Sequence, residues 1–154
     1  MNISIFFSTL FGVGYFPKAP GTAGTLLAAA VYFLLPDRWF GNGFYVLGCV
    51  LFLSLISVFV ISKAEKRLGH DSKKIVLDEF FGFFFAVIFL PKTLFVIIMV
   101  FFLFRFFDIL KPVPVNILQN LPGGWGVMAD DVMAGIYTNI FLQVLVRIFP
   151  NLIR

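Results

Sequence analysis

Charged residues divide this chain into five apolar stretches. Between Lys18 and Asp37 lie 18 uncharged residues, 19–36, and between Arg38 and Lys63 lie 24, 39–62. Lys92 separates two intervals of 12, 80–91 and 93–104, and a last interval of 15 covers 132–146. A straight crossing of a bilayer takes about 20 residues. The stretch 39–62 is therefore predicted as a transmembrane helix, and 19–36 and 132–146 span if their ends reach the interface. As helices, the 12-residue intervals are each about 18 Å long. They form either two short spans whose flanking charges snorkel to the headgroups or a hairpin over 80–107 that turns at Pro91-Lys92. Both arrangements return the chain to the face it left. The prediction is one all-α domain over 1–154: a polytopic membrane bundle of about four to five apolar helices, with the motif loops clustered at one membrane face.

Composition supports this. The chain is 60% hydrophobic and 13% charged, with 23 phenylalanines among 154 residues and a mean hydropathy of +1.00. Soluble domains average roughly 45–50% apolar and about 25% charged residues, and this chain has too few polar groups to cover a water-exposed surface. A large-cored soluble oligomer is the alternative. The net charge of +4 reads as topology signals and headgroup contacts, not as a nucleic-acid groove. The basic stretch Lys63 to Lys74 is expected in the cytoplasm. Counting spans then places Lys18, Asp78-Glu79 and 105–131 on that side, with Asp37-Arg38 and Lys92 opposite. Arg147 and Arg154 fall outside, which runs against the positive-inside trend and leaves the side of the C-terminus open. Met1 to Leu10 is apolar but has neither a basic start nor a small-residue cleavage site, and is not expected to be a cleaved signal peptide. Cys49, the only cysteine, has no partner for a disulfide or a thiolate metal site.

Five of the eight acids, Asp78, Glu79, Asp108, Asp130 and Asp131, sit at the edges of apolar segments, and the topology puts all five on one side. Carboxylates near hydrocarbon are costly, and five together repel one another unless a cation neutralises them. Magnesium suits a few carboxylates, water and a phosphate. Arg105, Asp108 and Lys111 follow at i, i+3 and i+6, so the first two share a helix face. Lys111 stays on that face unless Pro112 has unwound the helix. This trio reads equally as a structural ion pair or as a metal ligand beside two phosphate-binding cations. The glycine- and proline-rich segment 12–25, with Lys18, Thr22 and Thr25, reads either as an anion cradle at a helix start or as an interfacial loop with a threonine N-cap. Asp130 and Asp131 point about 100° apart on a helix, so one faces a site while the other makes a supporting contact. Gly82 and Gly135 either keep helix faces open toward a site or, equally, serve close helix packing. His70, the only histidine, reads as a solvated loop residue, which removes Ser-His-Asp and phosphohistidine chemistry.

Taken together, Gly-Tyr-Phe-Pro-Lys-Ala-Pro-Gly-Thr-Ala-Gly-Thr (14–25), Asp-Glu-Phe-Phe-Gly (78–82), Phe-Arg-Phe-Phe-Asp-Ile-Leu-Lys-Pro-Val-Pro (104–114) and Gly-Gly-Trp-Gly-Val-Met-Ala-Asp-Asp-Val-Met-Ala-Gly (123–135) resemble the bacterial phosphatidylglycerophosphatase A family. They occur in the family's order and cover most of 12–137. The resemblance implies an all-helical inner-membrane enzyme that needs magnesium and removes the terminal phosphate of phosphatidylglycerophosphate. It implies Asp78, Glu79, Asp108, Asp130 and Asp131 as the functional acids and Arg105 and Lys111 as phosphate contacts. On this reading Asp78, Glu79, Asp108 and Asp131 hold the metal, and Lys18, Thr22 and Thr25 join the phosphate site. The nucleophile is a water or an aspartate such as Asp108 or Asp130. Two other classes compete: an ion-coupled transporter or channel subunit, and a lipid-linked phosphotransferase using a diphosphate donor. The first is expected to show repeated halves and the second a donor-binding motif. The chain has neither.

Overall fold

In the computed structural model, which describes residues 2–149, all regular structure is helical. Seven α-helices run in order: α1 (Ile3–Ser8), α2 (Pro20–Leu34), α3 (Gly43–Leu68), α4 (Leu77–Val87), α5 (Leu94–Leu110), α6 (Val115–Leu118) and α7 (Gly124–Ile148). Arg154 lies outside the described residues. Two of these helices, α3 with 26 residues and α7 with 25, are long and apolar enough to cross a membrane. Helices α2, α4 and α5 have 15, 11 and 17 residues, short of the roughly 20 a straight span needs.

The helix ends differ from the charge-free intervals in a consistent way. Helix α3 runs on through Lys63, Glu65, Lys66 and Arg67, so half of the expected basic loop is helix. Basic side chains in a last turn suit the negative end of the helix dipole, and Gly69, at φ 93, caps it. Helix α7 begins at Gly124, seven residues before Asp131. Asp130 and Asp131 therefore sit inside a helix, not at the edge of one.

Helix α4 is the centre of the molecule. It packs on α2, α3, α5 and α7, and most of its residues, Asp78 included, are buried. Glycines let α7 approach it: a Cβ on Gly135 would overlap the Gly82 carbonyl oxygen, and one on Gly82 would come within 2.9 Å of the Asp131 carbonyl oxygen. The short helix needs partners for its last carbonyls, and Asn139 of α7 donates to the oxygens of Ala86 and Ile88, at 2.9 and 2.6 Å. Helices α4 and α5 pack on each other and are joined by the turn between Val87 and Leu94. Outside this centre α3 presents Phe52, Leu55 and Phe59 without cover, a surface suited to hydrocarbon.

Candidate active site

The hairpin brings Asp78 and Glu79, in the first turn of α4, back to Arg105 and Asp108 near the end of α5. Close packing of α4 on α7 adds Asp131. Asp78, Glu79 and Asp131 each offer a carboxylate oxygen, and these oxygens lie within 4.8 Å of one another. Asp78 and Asp131 are 6% and 2% exposed, and Asp78 Oδ1 and Glu79 Oε2 are buried with no hydrogen-bond partner. Three carboxylates at this spacing repel strongly in a poorly solvated site. Oxygen donors left unpaired inside a protein need an explanation, and a hard divalent cation fits both the donor set and the charge.

Arg105 stands beside the trio. Its Nη1 lies 2.7 Å from Asp108 Oδ2 and 3.9 Å from Glu79 Oε1, yet neither Nη1 nor Nε donates an aligned hydrogen bond within the protein. The guanidinium is thus held by charge with donors to spare. Gly21, in the first turn of α2, makes room for it: a Cβ there would overlap Glu79 Oε1 and sit 3.1 Å from Arg105 Nη1. The positive end of the α2 dipole adds to the compensation of Glu79.

Lys111 settles the question of its helix face. It ends α5 in the left-handed region, at φ 45, where Pro112 forbids continuation. Its ammonium leaves the Arg105–Asp108 face and reaches Asp130 Oδ2 at 2.6 Å and Gln119 Oε1 at 2.9 Å. Burial works most strongly against the Lys111 charge, but the hydrogen bond to Asp130 and the negative charges of Asp130, Asp71 and Asp108 together outweigh it, so its pKa lies above the ordinary lysine value. The two aspartates of α7 divide as their angular separation requires. Asp131 joins the acid trio, and Asp130 holds a cation.

Several expected site residues lie elsewhere. Asp108, expected as a metal ligand, stands outside the trio, and its carboxylate is engaged by Arg105. Thr25 is inside α2, where its hydroxyl donates to the Gly21 carbonyl at 2.9 Å, so it is neither an anion ligand nor an N-cap. The N-cap is Ala19, at φ 53, with Pro20 following. Thr22 and the exposed Lys18 line a depression on the outer side of α2, with Val13 and Phe16. The glycines of this segment serve close approach: a Cβ on Gly14 would overlap the Lys74 carbonyl oxygen, and one on Gly24 would meet Val76 at 2.9 Å. His70 is not alone, since its Nδ1 lies 2.6 Å from Glu65 Oε1. Gln119 is the polar contact that sequence reading missed. It lies eight residues beyond Lys111 across the short α6, and no periodicity or motif spacing points to it.

Buried carboxylates with unpaired oxygens, next to an arginine with unused donors, are an arrangement suited to phosphoryl chemistry. The sequence model of the family described as phosphatidylglycerophosphatase A matches residues 6–146. A Haemophilus influenzae phosphatidylglycerophosphatase A is 37% identical over 133 residues, covering 84% of this chain and 80% of that one. The Escherichia coli phosphatidylglycerophosphatase A is 34% identical over 131 residues, with shares of 82% and 73%. A Bacteroides thetaiotaomicron protein, named as a candidate phosphatidylinositol-3-phosphatase, is 38% identical over 152 residues, 92% of each chain. No solved structure matches. The chain belongs to the phosphatidylglycerophosphatase A family, which are phosphoric monoester hydrolases. Membership leaves the transporter reading without support.

Proposed function

We propose that this protein is a magnesium-dependent lipid phosphatase that hydrolyses phosphatidylglycerophosphate to phosphatidylglycerol and inorganic phosphate. We place it in the bacterial inner membrane as a multi-pass protein with its acids facing the cytoplasm. The observation that carries the chemistry is the meeting of Asp78, Glu79 and Asp131 beside Arg105. These three carboxylates would hold Mg2+, which when bound neutralises charge on the phosphoryl oxygens and activates water.

The remaining work falls to the chain's own residues. Arg105 donates its unused N–H groups to the phosphate, and Asp108 is the positioning residue that keeps the guanidinium turned toward the trio. Lys111, held by Asp130 and Gln119, supplies the second cation. Asp108 and Asp130 are each engaged by a cation at 2.7 and 2.6 Å, which blunts either as a nucleophile, so we assign water. Its oxygen bonds to phosphorus as the bond to the glycerol oxygen breaks, and one proton of water ends on that oxygen. Lys18, Thr22 and Thr25 are left out of this assignment.

The relative named for a phosphoinositide makes phosphatidylinositol 3-phosphate the second substrate reading. Phosphate release from both lipids, in micelles with and without magnesium, tests the two together. Magnesium-dependent release from phosphatidylglycerophosphate, lost in Asp131→Asn, supports the first. Faster release from the phosphoinositide would replace it, and no release from either lipid by folded protein would sink the phosphatase reading.

A further inference from the structure

A cavity of about 660 Å³ opens between α2, α3 and α4, running from Phe80 and Phe81, one turn into α4, to Arg38 and Trp39 beyond the far end of α2. Its walls include Val31 of α2 and Leu35, which caps that helix, Val46 and Val50 of α3, and Phe80 and Phe84 of α4. Phe84 and Val50 are buried and form the inner wall, while Tyr45 at 69% and Trp39 at 55% exposure stand on the outer side. The polar group that matters is Arg38, which lines the cavity, is exposed, and has no carboxylate partner among the described residues. The neighbouring Asp37 is engaged by Lys92, at 2.8 Å. One wall is α3, whose uncovered phenylalanines and leucines face outward.

We infer that this cavity is a binding site for an anionic phospholipid of the surrounding bilayer, its headgroup phosphate on Arg38 and one acyl chain in the crevice. An apolar cleft of several hundred Å³ with one convergent charge is the ordinary form of a ligand site. A cation at the mouth of a crevice walled by a membrane-crossing helix selects an amphipathic anion, with Trp39 and Tyr45 at the level where such rings sit between headgroups and tails. This lipid is not the one hydrolysed. Arg38 follows the far end of α2, whose first turn meets Glu79, and the intervening 15 residues amount to about 22 Å of helix. The site rests on the chain being embedded in a bilayer, not on the reaction assigned to the acids.

Two reporters sit in the cavity wall: Trp39 and the chain's single cysteine, Cys49. The Trp125→Phe protein keeps Trp39 as its only tryptophan. Co-flotation with vesicles first establishes embedding. Brominated phosphatidylglycerol should then quench Trp39 about fivefold more effectively than brominated phosphatidylcholine, one basic residue's share of attraction to an anionic surface. Alkylation of Cys49 by N-ethylmaleimide should be slower in phosphatidylglycerol than in phosphatidylcholine vesicles by a similar factor. Arg38→Gln should remove both differences and Arg38→Lys should keep them. Equal quenching by the two lipids, or a Cys49 rate indifferent to lipid, would overturn the inference, as would failure to float.

Discussion

Helix α2 joins two charged regions built on opposite plans. At its far end Lys92 is satisfied many times over. It bonds the Leu35 carbonyl and Asp37, and its ammonium lies 5.5 and 5.6 Å from the ring centres of Tyr32 and Phe40. Lys92 meets one carboxylate, which is 85% solvent-exposed, and the neighbouring Arg38 is itself in solvent. At the near end five carboxylates share two cations, and buried oxygens and N–H groups are left without partners. The first arrangement holds two loops together. The second leaves charge uncompensated where a protein gains nothing in stability from doing so, and marks the place where a ligand completes the structure.

The sharpest test of this contrast is Asp131→Asn. It removes charge from the crowded end without removing volume. Phosphate release should fall about a thousandfold, the scale of losing one electrostatic element of a site, while the melting temperature in detergent without magnesium holds or rises. A fall in both would make Asp131 a structural acid and erase the distinction between the two ends. Next comes Gly21→Ala. The added methyl would overlap the Glu79 carboxylate and crowd Arg105, and a displacement of that order costs about a hundredfold in turnover. Protein that stays folded and fully active would show that Arg105 need not sit where it does.

The charged residues that the fold gathers around α4 were legible in the sequence. The five acids and two cations could be picked out because charge is rare in this chain, so each charged residue near an apolar stretch carried information. Pro91 and Lys92 between two short apolar runs marked a turn there, with two short spans and a hairpin both open. Charge patterns hid the helix boundaries. A helix continues through charges where dipole and packing favour it, as α3 does through Arg67 and α7 does before Asp131. The split between Asp130 and Asp131 follows from the helical period, but the turn of Lys111 away from Arg105 and the part played by Gln119 depend on how α6 folds back. Four helical residues between prolines and glycines leave no period to read. The segment 14–25 misled for a different reason. Its glycines serve neighbours distant in sequence, and its threonines suggested ligands where Gly21 makes the contact.

A smaller effect is expected at Gln119, which refines the crowded end. Gln119→Ala takes away one of the two acceptors holding Lys111. Asp130 remains, so the ammonium stays charged but less fixed. Release should drop about tenfold, within the range for losing a hydrogen bond to a charged group, chiefly through a higher KM. An unchanged KM would remove Lys111 from phosphate binding, since its placement would then not matter to the substrate.

The smallest effect is predicted at the far end, and it is the control for the rest. Asp37→Asn breaks the Lys92 ion pair but leaves Lys92 its bond to the Leu35 carbonyl and its two aromatic neighbours. Because Asp37 is largely in solvent, the pair is screened and contributes about 0–1 kcal/mol. Activity should stay within about twofold, and the melting temperature should shift by a few degrees at most. Charge removal there takes no ligand from the acid trio, whereas the same chemical change at Asp131 removes a donor the ligand needs. Should Asp37→Asn silence the enzyme as Asp131→Asn does, the two ends of α2 would belong to one functional unit, and the catalytic centre would have to be sought between them.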